Sequence, residues 1–130
     1  MLNKVEYWLD LCDEDIITVN CLLNGNRLLP AAYFCHQITE KALKAVVSSV
    51  SKEIPPRTHD LTRLAKLGGI DKQLTDEQKL FLNNIARYQI EARYPEHKAE
   101  IAKFLTAEKC KQYLIETEDF LCWIKKLLDR

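Results

Sequence analysis

The chain has 130 residues, the usual size of one domain, and 47% of them are hydrophobic, so it has the material for a buried core and is not a disordered chain. Its 3 glycines and 4 prolines are too few turn residues for an all-β domain of many short strands. With 19 basic and 19 acidic residues the formal net charge is zero, which argues against a protein that holds nucleic acid through a global positive field. We expect a single domain over residues 1–130.

The first half of the sequence predicts two long helices. Apolar residues recur at steps of three and four from about residue 3 to residue 23, which places them on one stripe of a helix. The Asn-Gly-Asn segment at 24–26 ends this helix, because glycine and asparagine tolerate the left-handed conformation common at helix ends. A second helix is predicted from near Pro30, a residue suited to a first helical turn, and the prolines at 55–56 forbid its continuation.

A shorter helix and a fourth helix follow. The short helix is predicted from about residue 60 to residue 67, with Thr58 or Asp60 as its cap, and the two glycines at 68–69 end it. The fourth helix opens with Thr-Asp-Glu-Gln at 75–78, which fits a capping box, and it is predicted to end at Pro95.

The last helix is predicted to begin after Thr106 and to reach Leu128. Its aromatic residues Phe120 and Trp123 widen the apolar stripe, and they either face a second subunit or pack under the short helix. No segment shows strand alternation flanked by turns. Four long helices with short connections predict an all-α fold, an antiparallel four-helix up-and-down bundle with one extra short helix.

Charge is unevenly distributed along the chain. Acidic residues dominate the first twenty positions, and basic residues dominate positions 41–72. These two regions either pair, within the fold or between subunits, or form a solvated surface.

The cysteines and the hydropathy pattern suit a cytoplasmic protein. The cysteine count is odd and no C-x-x-C pair occurs, so neither a disulfide framework nor a zinc ribbon is indicated. Most of these thiols fall on apolar faces, as buried thiols in a reducing compartment do. The first residues lack a signal-peptide pattern, and no apolar run approaches the roughly 18 residues that a membrane span needs.

Three blocks of the sequence resemble the signature of the HEPN family, the small helical partners of MNT-type nucleotidyltransferases in prokaryotic toxin–antitoxin pairs. The blocks are YFCHQITEKALKAVV at 33–47, PPRTHDLTRLAKL at 55–67 and IEARYP at 90–95. They occur in the family's order at roughly the family's spacing. The resemblance extends from about residue 4 to residue 128.

The resemblance implies a homodimer that works with a nucleotidyltransferase partner and, in active members, cleaves RNA without a metal ion or cofactor. An Arg and a His at the dimer cleft form the active motif of the family, and here they correspond to Arg93 and His97. The His would act as general acid or base on a 2′-hydroxyl while the Arg stabilises phosphorane charge.

The motif departs from the family's spacing. Only three residues separate Arg93 from His97, and one of them is Pro95, a helix breaker. The alternative is therefore a catalytically inactive module that binds a nucleotide or serves in assembly. In that interpretation Arg93 stabilises a helix end, because a cation complements the helix dipole there. Tyr94 is then a packing residue, and His97 is a solvated loop residue.

A second group of residues offers a nucleotide or phosphate site. His36 lies one helical turn before Glu40, and Lys41 and Lys44 follow, so His36, Lys41 and Lys44 could line a cleft wall that binds phosphate. The other interpretation of His36 is a partly buried residue bonded to a neighbouring helix. His59 is predicted to fix the turn after the two prolines. We expect no metal site, since no Glu-x-x-His or H-E-x-x-H motif occurs, and no phosphate-binding glycine loop is present either.

Overall fold

The computed structural model of the protein describes residues 4–91, 100 and 103–130, and these residues form helices and their connections. Within them the order of elements is α1 (Lys4–Asn24), α2 (Leu28–Val50), α3 (Leu61–Leu67), a 3-10 turn (Asp71–Gln73), α4 (Asp76–Glu91) and α5 (Ala107–Leu127). No strand occurs in the described part of the chain. The all-α class predicted from the sequence is confirmed.

Side-chain caps fix where the later helices begin. Asp60 caps α3, since its carboxylate accepts a hydrogen bond from the backbone N–H of Arg63 at 3.1 Å. Thr58 instead accepts from the N–H of Asp60, so both residues named as candidate caps shape this entry turn. Gly69 follows α3 with a φ of +74°, the left-handed conformation that glycine adopts without steric cost.

The predicted capping box of α4 forms in both directions. The Thr75 hydroxyl accepts from the backbone N–H of Gln78 at 3.1 Å, and the Gln78 side chain accepts from the backbone N–H of Thr75 at 2.9 Å. Two backbone donors that the helix itself cannot satisfy therefore find partners.

Replacing Thr75 by alanine is expected to lower the free energy of unfolding by about 1 kcal/mol, because the N–H of Gln78 then loses its acceptor. Urea unfolding monitored by circular dichroism measures this change. Thr18→Ala is the matched control, since Thr18 lies within α1 and its hydroxyl only donates back to the carbonyl of Glu14. An equal loss in both variants would contradict a capping role for Thr75.

The first two helices form a hairpin. Residues 25–27 join α1 to α2, and the N–H of Arg27 donates to the carbonyl of Leu22 across this turn. Near the middle of both helices the thiol of Cys12 donates to the carbonyl of Ile38 at 3.4 Å. The two helices therefore run antiparallel from the loop.

The last helix runs antiparallel to α4. Phe81 pairs with Phe120 at a ring-centroid distance of 5.8 Å. Seven residues later on α4, Tyr88 pairs with Tyr113, which lies seven residues earlier on α5, at 5.4 Å. Phe120 is buried and packs inside the molecule against Phe81 of α4, while Trp123 is partly buried and contacts Phe120 of its own helix.

The last helix also contacts α1, again in the antiparallel sense. Lys125 donates to Asp13 at 2.8 Å, and Arg130 pairs with Glu6. Helix α2 is the central element, since it contacts α1, α3, α4 and α5. Its small residues, Ala31, Ala32, Ala42 and Ala45, are all buried and allow these neighbours to approach closely.

The hydrophobic core lies around α2. Every element contributes to it except the 3-10 turn, and the largest completely buried apolar side chains are Ile38, Leu43, Leu64, Ile85 and Ile124. Among the described helices none is long and apolar enough to cross a membrane.

Candidate functional site

Polar side chains interrupt the buried face of the central helix. His36, Thr39 and Glu40 are each no more than 3% exposed, although they lie on α2 among core residues. Thr39 satisfies its hydroxyl by donating to the carbonyl of Cys35. His36 and Glu40 lie one turn apart on the same helix, and neither bonds a backbone carbonyl of its own turn as Thr39 does.

Glu40 is the centre of a polar cluster, which we define as His36, Glu40, Lys44 and His59. One carboxylate oxygen accepts from the Lys44 ammonium at 2.9 Å, and the other lies 2.7 Å from Nδ1 of His59. The Nδ1 atom of His36 lies 4.0 Å from that second oxygen. A carboxylate this deeply buried is stable only when it is paired and hydrogen-bonded, and these contacts meet that requirement.

Lys44 is held from two sides. Its ammonium bonds Glu40 and also lies 5.4 Å from the centre of the Trp8 ring on α1. This distance permits a cation–π attraction, which adds to the ion pair. The cluster therefore connects α2 both to α1 and, through His59, to the segment before α3.

His36 is neutral at pH 7. Burial lowers the pKa of His36 to about 4; the Glu40 carboxylate and the backbone of His59 oppose this effect, and the charges of the His59 ring and of Lys44 reinforce it. Neither ring nitrogen makes a hydrogen bond to a described residue. A completely buried imidazole whose nitrogens lack a hydrogen bond of good geometry costs free energy.

Lys41 is not part of the polar cluster around Glu40. Its ammonium pairs with Asp15 of α1, and both side chains are largely buried. Of the three residues predicted to line a phosphate site, His36 and Lys44 therefore converge on Glu40, whereas Lys41 turns to α1. The prediction that His36, Lys41 and Lys44 bind a nucleotide or phosphate remains a prediction, and each lysine has an acidic partner with which a phosphate would have to compete.

His59 lies at the turn before α3, as predicted, but its main contact is with Glu40 of α2. Sequence reasoning did not find this contact. Glu40 and His59 are 19 residues apart and are separated by a non-helical segment with two prolines, so no periodic spacing relates them. The one signal was that both residues belong to blocks that resemble the same family.

A groove runs beside His59, between the start of α3 and α4. Its volume is about 400 Å³. The lining combines polar groups with an apolar floor and includes His59, Asp60, Leu82, Asn83, Ala86 and Gln89. The Oε1 atom of Gln89 accepts from Gln37 of α2 at 2.8 Å, so the groove is tied to α2 at this end as well.

The predicted catalytic pair, Arg93 and His97, lies outside the described residues, as does Tyr94. Within the described residues no group of three or more His, Cys, Asp or Glu side chains is placed to hold a metal ion. The geometry on which a site can be argued is therefore that of the polar cluster and the groove.

The fold and the cluster define a small all-α domain with a central helix whose buried carboxylate bonds the turn before a short third helix. The HEPN domain family model matches residues 5–127, and the chain belongs to the HEPN domain family. None of the curated proteins compared matches the chain.

Among solved structures, the crystal structure of an archaeal HEPN homologue is similar to this chain. The two share 17% sequence identity and superpose with a TM-score of 0.66, over 98% of each chain. At this identity the similarity supports a common fold over the whole length.

Proposed function

We propose that the chain is a HEPN-type toxin-like subunit that works as a homodimer with an MNT-type nucleotidyltransferase and cleaves RNA without a metal ion. The observation that carries this proposal is the family match, which spans residues 5–127 and so includes all three blocks of the resemblance. The Glu40–His59 contact supports it further, because it joins the first block to the second in space.

The proposed chemistry uses Arg93 and His97. His97 takes the proton from a 2′-hydroxyl, whose oxygen attacks the adjacent phosphorus while the bond from phosphorus to the 5′-oxygen breaks. His97 then gives the same proton to the 5′-oxygen, which leaves as a hydroxyl. Arg93 stabilises the negative charge that accumulates on the phosphate oxygens during this step. The products are a 2′,3′-cyclic phosphate and a free 5′-hydroxyl, so no water or metal is consumed in the cleavage itself.

The test is cleavage of total RNA by the purified chain in the presence of EDTA. We expect wild type to cleave, and Arg93→Ala and His97→Ala each to reduce the rate at least about 100-fold. Arg87→Ala is the matched control, since Arg87 lies in α4 and is too far from His97 in sequence to form the motif. A folded wild type that leaves RNA intact would contradict the ribonuclease proposal.

The second candidate is a catalytically inactive module that binds a nucleotide or acts in assembly with the transferase. The observation that favours it is the short spacing, with only Tyr94, Pro95 and Glu96 between the two motif residues. For this candidate a nucleotide contacts His36, Lys41 and Lys44. Lys41→Gln is expected to weaken nucleotide binding, because this change removes a cation from the proposed site and leaves the pair between Glu40 and Lys44 intact. An unchanged nucleotide affinity would contradict this candidate.

The two candidates share their partners, which can be tested directly. Sedimentation equilibrium of the purified chain is expected to give twice the chain's mass of 15.1 kDa. Co-expression with a nucleotidyltransferase from a neighbouring gene is expected to give a stable complex. A monomer at all concentrations would contradict the homodimer, which the family resemblance suggested.

A further inference from the structure

The groove between the start of α3 and α4 has the composition of a ligand site and no role in the proposed cleavage. It has about 400 Å³ of space, within the range of small-molecule sites. Its floor includes Leu82, which is 4% exposed, and Ala86, and its rim is polar. An apolar floor with a few convergent polar groups is the usual composition of a pocket that orients a small ligand.

One polar group of the groove is a histidine held in a fixed orientation. The Nδ1 atom of His59 is engaged by the buried carboxylate of Glu40, so the ring nitrogen that remains for a ligand is Nε2. The His59 side chain is 46% exposed, whereas Glu40 behind it is almost completely buried. The carboxylate therefore limits rotation of a ring that would otherwise be free on the surface.

Two amides provide the other polar groups. Asn83 is exposed on α4 and lines the groove. Gln89 lines it six residues later, and its Nε2 is buried with no hydrogen-bond partner among the described residues. A buried amide donor without a partner is costly, so a ligand that accepts from it would recover that cost.

The charge of the groove excludes a phosphate as the preferred ligand. Asp60 belongs to its lining, and the Glu40 carboxylate lies behind His59. No lysine or arginine contributes to the lining within the described residues. A neutral ligand that combines hydrogen-bonding groups with apolar surface is favoured instead, because the described lining offers both and no cation.

We propose that this groove binds one unpaired nucleobase of RNA, with Nε2 of His59 and the amides of Asn83 and Gln89 bonding the edge of the base and the Leu82–Ala86 surface contacting its face. Carboxamide side chains match the donor and acceptor pairs on base edges, and unstacked bases are what proteins recognise in single-stranded RNA. The inference rests on the proposed function, since it takes RNA as the ligand, but it uses neither Arg93 nor His97.

Titration of free nucleosides into the full chain tests the proposal. The Cε1–Hε1 signal of His59 and the side-chain amide of Asn83 are followed by NMR. We expect adenosine or another nucleoside to shift both signals to saturation, whereas inorganic phosphate leaves them in place. Asn83→Ala is expected to weaken nucleoside binding about fivefold, the effect of one hydrogen bond. Asn84→Ala is the control, because Asn84 is exposed on the same helix and is absent from the lining of the groove.

A second variant separates binding from folding. In His59→Asn the side-chain amide can still donate to Glu40 in place of Nδ1, but the variant has no equivalent of Nε2. We expect this variant to keep the thermal midpoint of the wild type and to bind nucleosides several-fold more weakly.

The inference is overturned if no nucleoside shifts these signals, if phosphate shifts them equally, or if Asn83→Ala and Asn84→Ala bind alike. These results are distinguishable from failure of the ribonuclease proposal. If nucleosides bind and RNA is not cleaved, the groove stands and the proposed cleavage fails. If RNA is cleaved and nucleosides do not bind, the groove assignment alone fails.

Discussion

Replacing Glu40 by alanine is expected to lower the free energy of unfolding by about 3 kcal/mol. The change leaves Lys44, whose side chain is only 12% exposed, without its carboxylate, and it removes the bond that holds His59. Breaking a buried ion pair by removing one partner is costly, because the remaining charge stays desolvated and unpaired. Urea denaturation at pH 7, analysed for a shifted midpoint at an unchanged slope, measures the loss.

The matched control for Glu40→Ala is Asp13→Ala. Asp13 pairs with Lys125 between α1 and α5, but its side chain is 56% exposed and that of Lys125 is 32% exposed. Surface pairs of this kind contribute less than about 1 kcal/mol, so the control should be nearly neutral. If Glu40→Ala loses no more stability than this nearly neutral control, the cluster around Glu40 does not stabilise the fold. A functional reason for burying the carboxylate would then be the stronger explanation.

Acidification is expected to destabilise the protein through His36. The pKa of His36 is about 4 in the folded protein because burial disfavours the charged ring, whereas an unfolded histidine titrates near 6.5. Between these two values the unfolded chain binds the proton and the folded chain does not. Stability from this group is therefore fully present above about pH 6.5 and falls as the pH is lowered to 4, by about 3 kcal/mol.

His36→Leu isolates this effect. At pH 7 the variant should match or exceed the wild type in stability, because it removes two buried ring nitrogens that have no hydrogen-bond partner among the described residues. At pH 4 it should be more stable than the wild type by about 3 kcal/mol, since it lacks the group that must become charged. Chemical denaturation of both proteins across this range measures the difference. If the free energy of unfolding falls by the same amount in both proteins as the pH is lowered, His36 does not determine the acid sensitivity. The charged or titratable groups around it are Glu40, Lys44 and His59.

The sequence predicted the helices well because local rules determine them. The α4 capping box was visible as Thr75 and Gln78 at the required spacing, and the structure forms both of its hydrogen bonds. The start of α3 was predicted to within one residue for the same reason, since Asp60 is a good capping residue before an apolar run. These contacts lie within four residues, so no tertiary information was needed.

The polar cluster was only partly predictable. The meeting of His36 and Glu40 follows from their spacing of one turn on α2. The bond from Glu40 to His59 depends on the path of the segment between α2 and α3, and a segment that contains two prolines and no helix has no periodicity from which to derive that path. The groove beside His59 was missed because it needs α3 and α4 to be placed relative to each other.

The ion-pair partners of the acidic first helix were also only partly predictable from the sequence. Sequence reasoning left open whether the acidic first helix pairs with other residues or is solvated. In the structure Asp15 pairs with Lys41 of the basic middle region, while Asp13 and Glu6 pair with Lys125 and Arg130 at the far end of the chain. The partners of Asp13 and Glu6 were not identifiable, because only the packed fold shows that α1 and α5 are neighbours.

The contacts of α1 with both α2 and α5 have a consequence for the entropy of folding. Its contacts with α2, Cys12 to Ile38 and Asp15 to Lys41, join residues 26 apart in sequence, whereas its contact with Lys125 spans 112 residues. Closing the longer loop costs about 1.3 kcal/mol more in chain entropy than closing the shorter one. Forming the α1–α2 hairpin therefore costs less chain entropy than docking α5 onto α1.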